Sequence, residues 1–292
     1  MKRVLIDSLE GGEILAQDVW DHKGAQWLAE GTTYKISYLN KLHSLGISHI
    51  YIKEKKISTD LGIKKDFNPD NLIDESKAIA AMQLKRFHKS GSVNIYKYEK
   101  LVFDIMNEVM GNSEILETIY DMKGYDYYTY EHSVNVTVIA IMISQEMELS
   151  RYQTYEIAMG CLLHDLGKMQ ISEEILNKPS TLTIEEFVEI KKHSINGYNI
   201  VKNNKHLSKE IKETILTHHE KLDGSGYPLG ISGDQIQMGA RICSLADVFD
   251  AMCSKRPYKM AVPFAESLRI IKMSMSKQLD MAICHVLEKV LK

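Results

Sequence analysis

His164 and Asp165 place an imidazole and a carboxylate on adjacent residues, directly after the apolar run Cys161-Leu162-Leu163 that reads as the buried end of a helix. Adjacent helical residues point about 100° apart, so the two side chains meet only if a metal ion or substrate fills the crevice between them. An isolated pair of this kind reads more simply as polar residues closing a helix end. Four further histidines change the balance. His132 lies early in an apolar helix and shares a face with Val136, Ile139 and Ile143. His193 sits on a helical stretch running from Ile184 to Val201, and His218 and His219 close the segment Ile211 to Thr217 before a glycine-rich turn that ends in Gly226-Tyr227-Pro228. Asp247 stands in the apolar run Ile242-Cys243-Ser244-Leu245-Ala246, where an unpaired carboxylate would be costly.

Each of these residues has an ordinary explanation as a hydrogen-bonded core group. Together, five imidazoles and two carboxylates on core-facing helices are hard to satisfy without cations. Neutral imidazole and carboxylate suit iron, manganese, zinc, nickel or cobalt, and the absence of thiolates from the set argues against a structural zinc site. Two divalent ions about 3.5–4 Å apart can share a carboxylate and a hydroxide, which generates a nucleophile near neutral pH and neutralises charge on a phosphate under attack. Asp165, nearest the centre of the ligand-rich stretch, is the expected bridge.

The elements that must position these groups divide the chain. Over residues 1–60, short apolar or alternating runs (Val4-Leu5-Ile6, Ile14-Leu15, Gln26-Trp27-Leu28 and His49-Ile50-Tyr51-Ile52) are punctuated by Gly11-Gly12, Gly24 and Gly31. One helix is expected between Ile36 and Leu45, stopped at Gly46. This reads as a small α+β module, structural or dimerising rather than chemical. A polar stretch over 61–95, with a turn at Asn68-Pro69-Asp70, reads as a linker that becomes helical. From 96 to 292 helical periodicity persists, with Pro179, Pro228, Pro257 and Pro263 beside plausible loops. The expected fold is mainly α: a helical bundle carrying a small α+β N-terminal domain.

Composition narrows the classes further. With 44% apolar and 26% charged residues over 292 positions the chain is ordinary globular protein. A formal charge of −3 argues against binding duplex nucleic acid through bulk positive potential. No run of 18 apolar residues and no signal-like N-terminus occur, so the expectation is a cytoplasmic protein without a membrane span. Cys161, Cys243, Cys253 and Cys284 form no Cys-x-x-Cys pair and read as buried thiols. Oligomeric state is open, a homodimer included.

His164-Asp165 together with HHEKLDGSGYP at 218–228 resembles the HD-GYP subgroup of the HD phosphohydrolase superfamily, bacterial phosphodiesterases that linearise cyclic di-GMP. Matches at 130–136, at Ile175-Leu176-Asn177-Lys178-Pro179, at Lys192-His193 and from Ala246 to Met252 continuing to Arg256-Pro257-Tyr258-Lys259 follow the family's order. The resemblance implies an HD-type bundle in which His132, His164, Asp165 and Asp247 hold one metal and Asp165, His193, His218 and His219 the other. It places Lys168 beside the scissile phosphate, Arg256 and Lys259 on the phosphates or guanines, and Gly226, Tyr227 and Pro228 in the loop that names the subgroup. Asp250 is implied as a partner orienting a histidine or that loop. Some members bind a third metal through an acidic residue four positions before the first histidine; here that position is Tyr128, so two ions are expected, iron or manganese foremost. The implied reaction yields linear pGpG, with onward cleavage to GMP left open. The rivals are a receptor that binds cyclic dinucleotides without turnover, and an HD hydrolase of another cyclic dinucleotide.

Overall fold

The computed structural model describes residues 2–6, 9, 11–20, 25–45, 47, 49–53, 69–109, 128–254 and 261–291. The chain forms two compact units, 1–67 and 68–292. In the first, β1 (Lys2–Leu5) pairs antiparallel with β4 (His49–Ile52) in the register Lys2↔Ile52 to Leu5↔His49. A second antiparallel pair joins β2 (Val19–Trp20) to β3 (Gln26–Leu28), and bridges at Ile14↔Thr33 and Leu15↔Ile52 tie the intervening turns together. A 3₁₀ turn, Ile36–Tyr38, leads into α1 (Leu39–Ser44), so the expected single helix has a tighter first turn. Ile6, Leu15, Tyr34, Ile36, Leu42 and Ile50 are buried together here, a small α+β core as the apolar runs imply. Gly46, the expected stop, lies outside the described residues.

The second unit is helical. Its elements are α2 (Pro69–Ser90), α3 (Ile95–Val109), α4 (Tyr128–Glu146), α5 (Arg151–Leu163), α6 (Glu173–Leu176), α7 (Ile184–Lys191), α8 (His193–Val201), α9 (Lys209–Thr217), α10 (Met238–Cys253), α11 (Phe264–Ser274) and α12 (Met281–Val290). The helix α2, which the sequence reading set within a linker of 61–95, packs on α3 and α4 and groups with this unit. The chain breaks between α2 and α3 at 91–94, with Gly91 at φ +64°.

Three helices make the frame. Every residue of α4 from His132 to Ile141 is buried, and α5 and α10 are nearly as enclosed. A helix apolar on all sides has to be surrounded, and these three pack on one another while α2, α3, α9 and α12 cover them. The start of α5 is set by a capping box in which Ser150 Oγ accepts from the Gln153 amide at 3.3 Å and Gln153 Oε1 accepts from the Ser150 amide at 3.0 Å. The C-terminal segment, which lacks Gly and Pro, is held by Asp280 capping α12, with Ile283, Cys284 and Leu287 buried. All four cysteines are buried free thiols.

The stretch expected as one helix from Ile184 to Val201 divides at Lys192, so that His193 is the first residue of α8. Beside it the 3₁₀ turn Leu166–Gln170 runs backbone to backbone against α8. A Cβ on Gly167 would overlap the His193 carbonyl oxygen and the Gly197 amide nitrogen, and both obstacles are main chain. We expect Gly167→Ala to cost about 1–3 kcal/mol, the usual range for overpacking, read as a lower denaturation midpoint at unchanged m-value. A midpoint equal to that of the parent protein would show that the turn and α8 can part freely.

Candidate metal centre

Each side chain of the centre is delivered by the end or the buried face of a frame element. His132 projects from the first turns of α4, and His164 is the residue that closes α5, with Asp165 next in the turn. His193 opens α8, His218 closes α9 with His219 following, and Asp247 lies in the third turn of α10. These seven side chains fall into clusters whose ligand atoms lie within 4.8 Å of one another: His132 with His164 and Asp247, His193 with His218 and His219, and His164 and His218 with Asp165.

Asp165 stands between the clusters. Its Oδ2 is 3.3 Å from His164 Nε2 and 4.0 Å from His132 Nε2, and its Oδ1 is 3.6 Å from His193 Nε2. Asp247 lies 3.1 Å from His132 Nε2 through Oδ1 and 4.0 Å from His219 Nδ1 through Oδ2.

Tautomers follow from the partners on the far side of each ring. His164 Nδ1 is 2.6 Å from the Cys161 carbonyl, His193 Nδ1 2.7 Å from that of Ile190, and His218 Nδ1 2.9 Å from that of Ile215. A carbonyl oxygen only accepts, so each Nδ1 carries the proton and each Nε2 of a neutral ring presents a lone pair. His132 does the same with a carboxylate, its Nδ1 donating to Asp250 Oδ2 at 2.6 Å. Asp250 is itself held by Asn135 Nδ2 and Ser254 Oγ, each 2.9 Å from Oδ1. Four Nε2 atoms are thereby aimed at one place. Those of His193 and His218 are 3.1 Å apart, two lone pairs facing each other in a buried site. Such an arrangement repels unless a positive centre lies between the donors, so the donor set fits divalent cations.

The protein's own charges point the same way. Burial pushes His193 down, takes His218 well below the ordinary imidazole range and brings His219 down to about 3, so all three stay neutral. Burial acts on His132 too, but the hydrogen-bonded carboxylates of Asp247 and Asp250 override it and raise that ring to about 10. His164 goes up to about 9, burial being overcome by Asp165. Despite burial, Asp165 is held well below the carboxylate range by His164 and Lys168, and Asp247 is depressed by His132. One cluster is thus built from ionised carboxylates and protonated rings whose Nε2 protons a cation would replace. The other consists of neutral imidazoles.

The family model described as HD domain matches residues 112–283, which includes every one of these groups. The chain belongs to the HD domain family. A cyclic di-GMP phosphodiesterase of Pseudomonas aeruginosa is 34% identical over 198 residues, covering 68% of this chain and 48% of that protein. A 3'3'-cGAMP-specific phosphodiesterase of Vibrio cholerae is 47% identical over 174 residues, 57% of this chain and 33% of that one. Among solved structures, an HDG"Y"P protein from Bdellovibrio bacteriovorus shares the fold with a TM-score of 0.61 at 20% identity, covering 99% of each chain. The chain spans about half the length, or less, of these curated relatives.

Around the HD centre, Lys168 Nζ lies 2.5 Å from Asp165 Oδ2, so its ammonium reaches the central carboxylate. Tyr227 stacks on the ring of His219, centroids 4.7 Å apart at 28°, and so braces that histidine. Gly226 is required by packing: a Cβ there would overlap the Glu220 and Lys221 backbone. Arg256 and Lys259 lie outside the described residues, and so does the side chain of Tyr128. Two groups escaped the sequence reading. Glu220, 2% exposed, accepts from the Leu229 and Gly230 amides at 2.5 and 3.1 Å and anchors the loop after Pro228. Asn135, on α4 one turn after His132, steadies Asp250. An acid directly after the paired histidines was the available signal for the first. For the second, the three-residue step from His132 offered one.

Replacing Asp250 by Ala removes the acceptor that orients His132, and we expect divalent-cation affinity to fall about 10–100-fold, measured by competition with a metal-sensitive dye. Chelator-treated protein should also show a stability maximum on the pH axis. His132 and His164 are raised above the unfolded value of 6.5, so their contribution is complete below about pH 6.5 and is lost as pH rises through about 9 and 10. His193, His218 and His219 are lowered, so stability also falls as pH drops below 6.5, where the unfolded chain takes up protons the fold refuses. Midpoint temperatures across pH 5 to 10.5 check both limbs, and a flat profile would contradict these charge states.

Proposed function

We propose that this chain is a metal-dependent phosphodiesterase that hydrolyses cyclic di-GMP to linear pGpG. The observation that carries the reading is the meeting of the two ligand clusters at Asp165, with the Nδ1 atoms of His132, His164, His193 and His218 bonded on the far side of each ring so that Nε2 faces inward. The relatives named as cyclic-dinucleotide phosphodiesterases support the substrate class.

In this reading His132, His164, Asp165 and Asp247 would hold one divalent ion, and Asp165, His193, His218 and His219 would hold a second. Iron or manganese is favoured; zinc, nickel and cobalt share the ligand preferences. The bound ions supply Lewis acidity, lowering the pKa of water and neutralising phosphate charge. The remaining work falls to the protein. Asp250 and the three carbonyls fix ring orientation, so no ligand has to reorganise as charge develops. Lys168 places a cation beside the central carboxylate, where a phosphoryl oxygen gaining charge would meet it. Burial of His164, His193 and His218 keeps bulk water from competing for the Nε2 atoms. Arg256 and Lys259 are assigned to the guanines or the phosphates of the substrate. The presence of Tyr128 where an acid would recruit a third ion supports a two-ion site and release of pGpG before further cleavage. The first unit serves as an adaptor.

Incubating the full chain with Mn²⁺ or Fe²⁺ under reducing conditions and cyclic di-GMP should yield pGpG, resolved by ion-pair chromatography. Asp165→Asn should abolish turnover. Absence of turnover with every first-row divalent ion, alongside tight binding, would replace the enzyme with a receptor. The 47% identity to a 3'3'-cGAMP-specific relative favours one second reading, in which the hybrid dinucleotide is the better substrate. Paired kcat/KM values for the two cyclic dinucleotides decide between them.

A further inference from the structure

On the rim of the centre, one cation is placed differently from its neighbours. Lys168 is paired with Asp165, Lys178 with Glu186 and Lys192 with Glu189. Among the described residues no carboxylate pairs with Lys191. Its ammonium lies over two aromatic faces instead, 4.8 Å from the Phe187 centroid and 5.0 Å from that of Tyr227. Phe187 is four residues earlier on α7, the spacing that puts two side chains on one helix face. Tyr227 is the ring stacked on His219, so Lys191 Nζ lies within about 10 Å of that imidazole, the sum of the 5.0 and 4.7 Å spacings. Lys191 also stands two residues before His193, on the chain that delivers that ligand.

Aromatic faces hold an ammonium in place without neutralising it. An ammonium so held, lacking a carboxylate and half-buried at the lip of the site, is a preformed receptor for an anion. A cyclic dinucleotide carries two phosphodiesters on opposite sides of one ring. If one of them sits at Asp165 and Lys168, the other lies toward the rim, where Lys191 offers a fixed counter-charge among the described residues. Resting on the function proposed above, we infer that Lys191 binds the phosphate that is not being cleaved, with Phe187 and Tyr227 holding its ammonium in position. Tyr227 then links the two ends of the substrate site, bracing His219 through one contact and Lys191 through another.

The test compares substrates with two phosphates and with one. Lys191→Met should weaken cyclic di-GMP binding, measured by calorimetry, by about tenfold or more, as expected for loss of a charged hydrogen bond. It should lower the ratio of kcat/KM for cyclic di-GMP to kcat/KM for bis(p-nitrophenyl) phosphate, which has a single phosphodiester, by a similar factor and mainly through KM. Lys191→Arg, which keeps a cation able to stack on both rings, should recover most of each loss. Thermal unfolding and metal content of the purified variants check that the fold and the centre persist. Equal losses on the two substrates, or a Met variant that binds cyclic di-GMP as tightly as the parent, would overturn the assignment. Failure of the parent protein itself to bind or cleave any cyclic dinucleotide would instead remove the underlying function, and the assignment with it.

Discussion

The constraint on which the structure turns is that three buried histidines each donate Nδ1–H to the carbonyl three residues earlier. His164, His193 and His218 sit where a helix ends or begins, and there the carbonyl at that offset lies in a last turn, where it accepts the ring N–H beside any backbone amide it already holds. The main chain therefore selects the tautomer, and it does so identically in three places. His132 reaches the same state through Asp250. With four Nε2 atoms facing inward, those of the neutral rings of His193 and His218 meet as opposed lone pairs 3.1 Å apart. Divalent cations resolve that conflict in a way an added proton cannot, because burial holds His193 and His218 below the ordinary imidazole range.

The fold can be understood as the means of sustaining this conflict. Helices α4, α5 and α10 are apolar on nearly every side, so their mutual packing favours the compact state by burial alone, and the polar residues they carry ride on that stability. Buried polar atoms on such helices then have to find one another. Asp250, 0% exposed, satisfies itself with His132, Asn135 and Ser254, drawing α10 onto α4 at the level of the centre. On the opposite side, the contact of the Gly167 turn with α8 sets the distance between Asp165 and His193. The central carboxylate meets both clusters because a glycine allows two backbones to touch.

Much of this was legible in the sequence. The position of His132 on the face of Val136 and Ile139 follows from helical period, and so does the helical character of the described residues between 96 and 291. The pairing of His218 and His219 at a helix end, and the carboxylate of Asp247 in an apolar run, were enough to expect a shared cation site. What escaped depends on contacts between segments far apart in the chain. The division of Ile184–Val201 at Lys192 has no Gly or Pro to announce it, and periodicity continues across it. Glu220 reads locally as a solvated acid in a turn, and only the return of the chain at Leu229 and Gly230 reveals it as an anchor. Likewise α2 looks polar enough for a linker, yet Ile79 and Gln83 are buried and Gln83 accepts from the Asn94 amide at 2.6 Å.

The centre itself has little means of telling one cyclic dinucleotide from another. Under the proposed function its imidazoles, carboxylates and Lys168 would meet a phosphodiester, which is the same group in every cyclic dinucleotide. Discrimination would then have to come from groups that reach the bases or the second phosphate, and among the described residues the candidates lie outside the frame, in the loop carrying Tyr227 and at the end of α7. Loops tolerate change without disturbing a buried core, whereas the ligand-bearing helix ends are constrained by the carbonyl contacts that orient them. Under the proposed function the architecture would separate reactivity, held in the core, from specificity, held at the rim. On physical grounds, relatives sharing this centre can differ in substrate while every ligand stays in place.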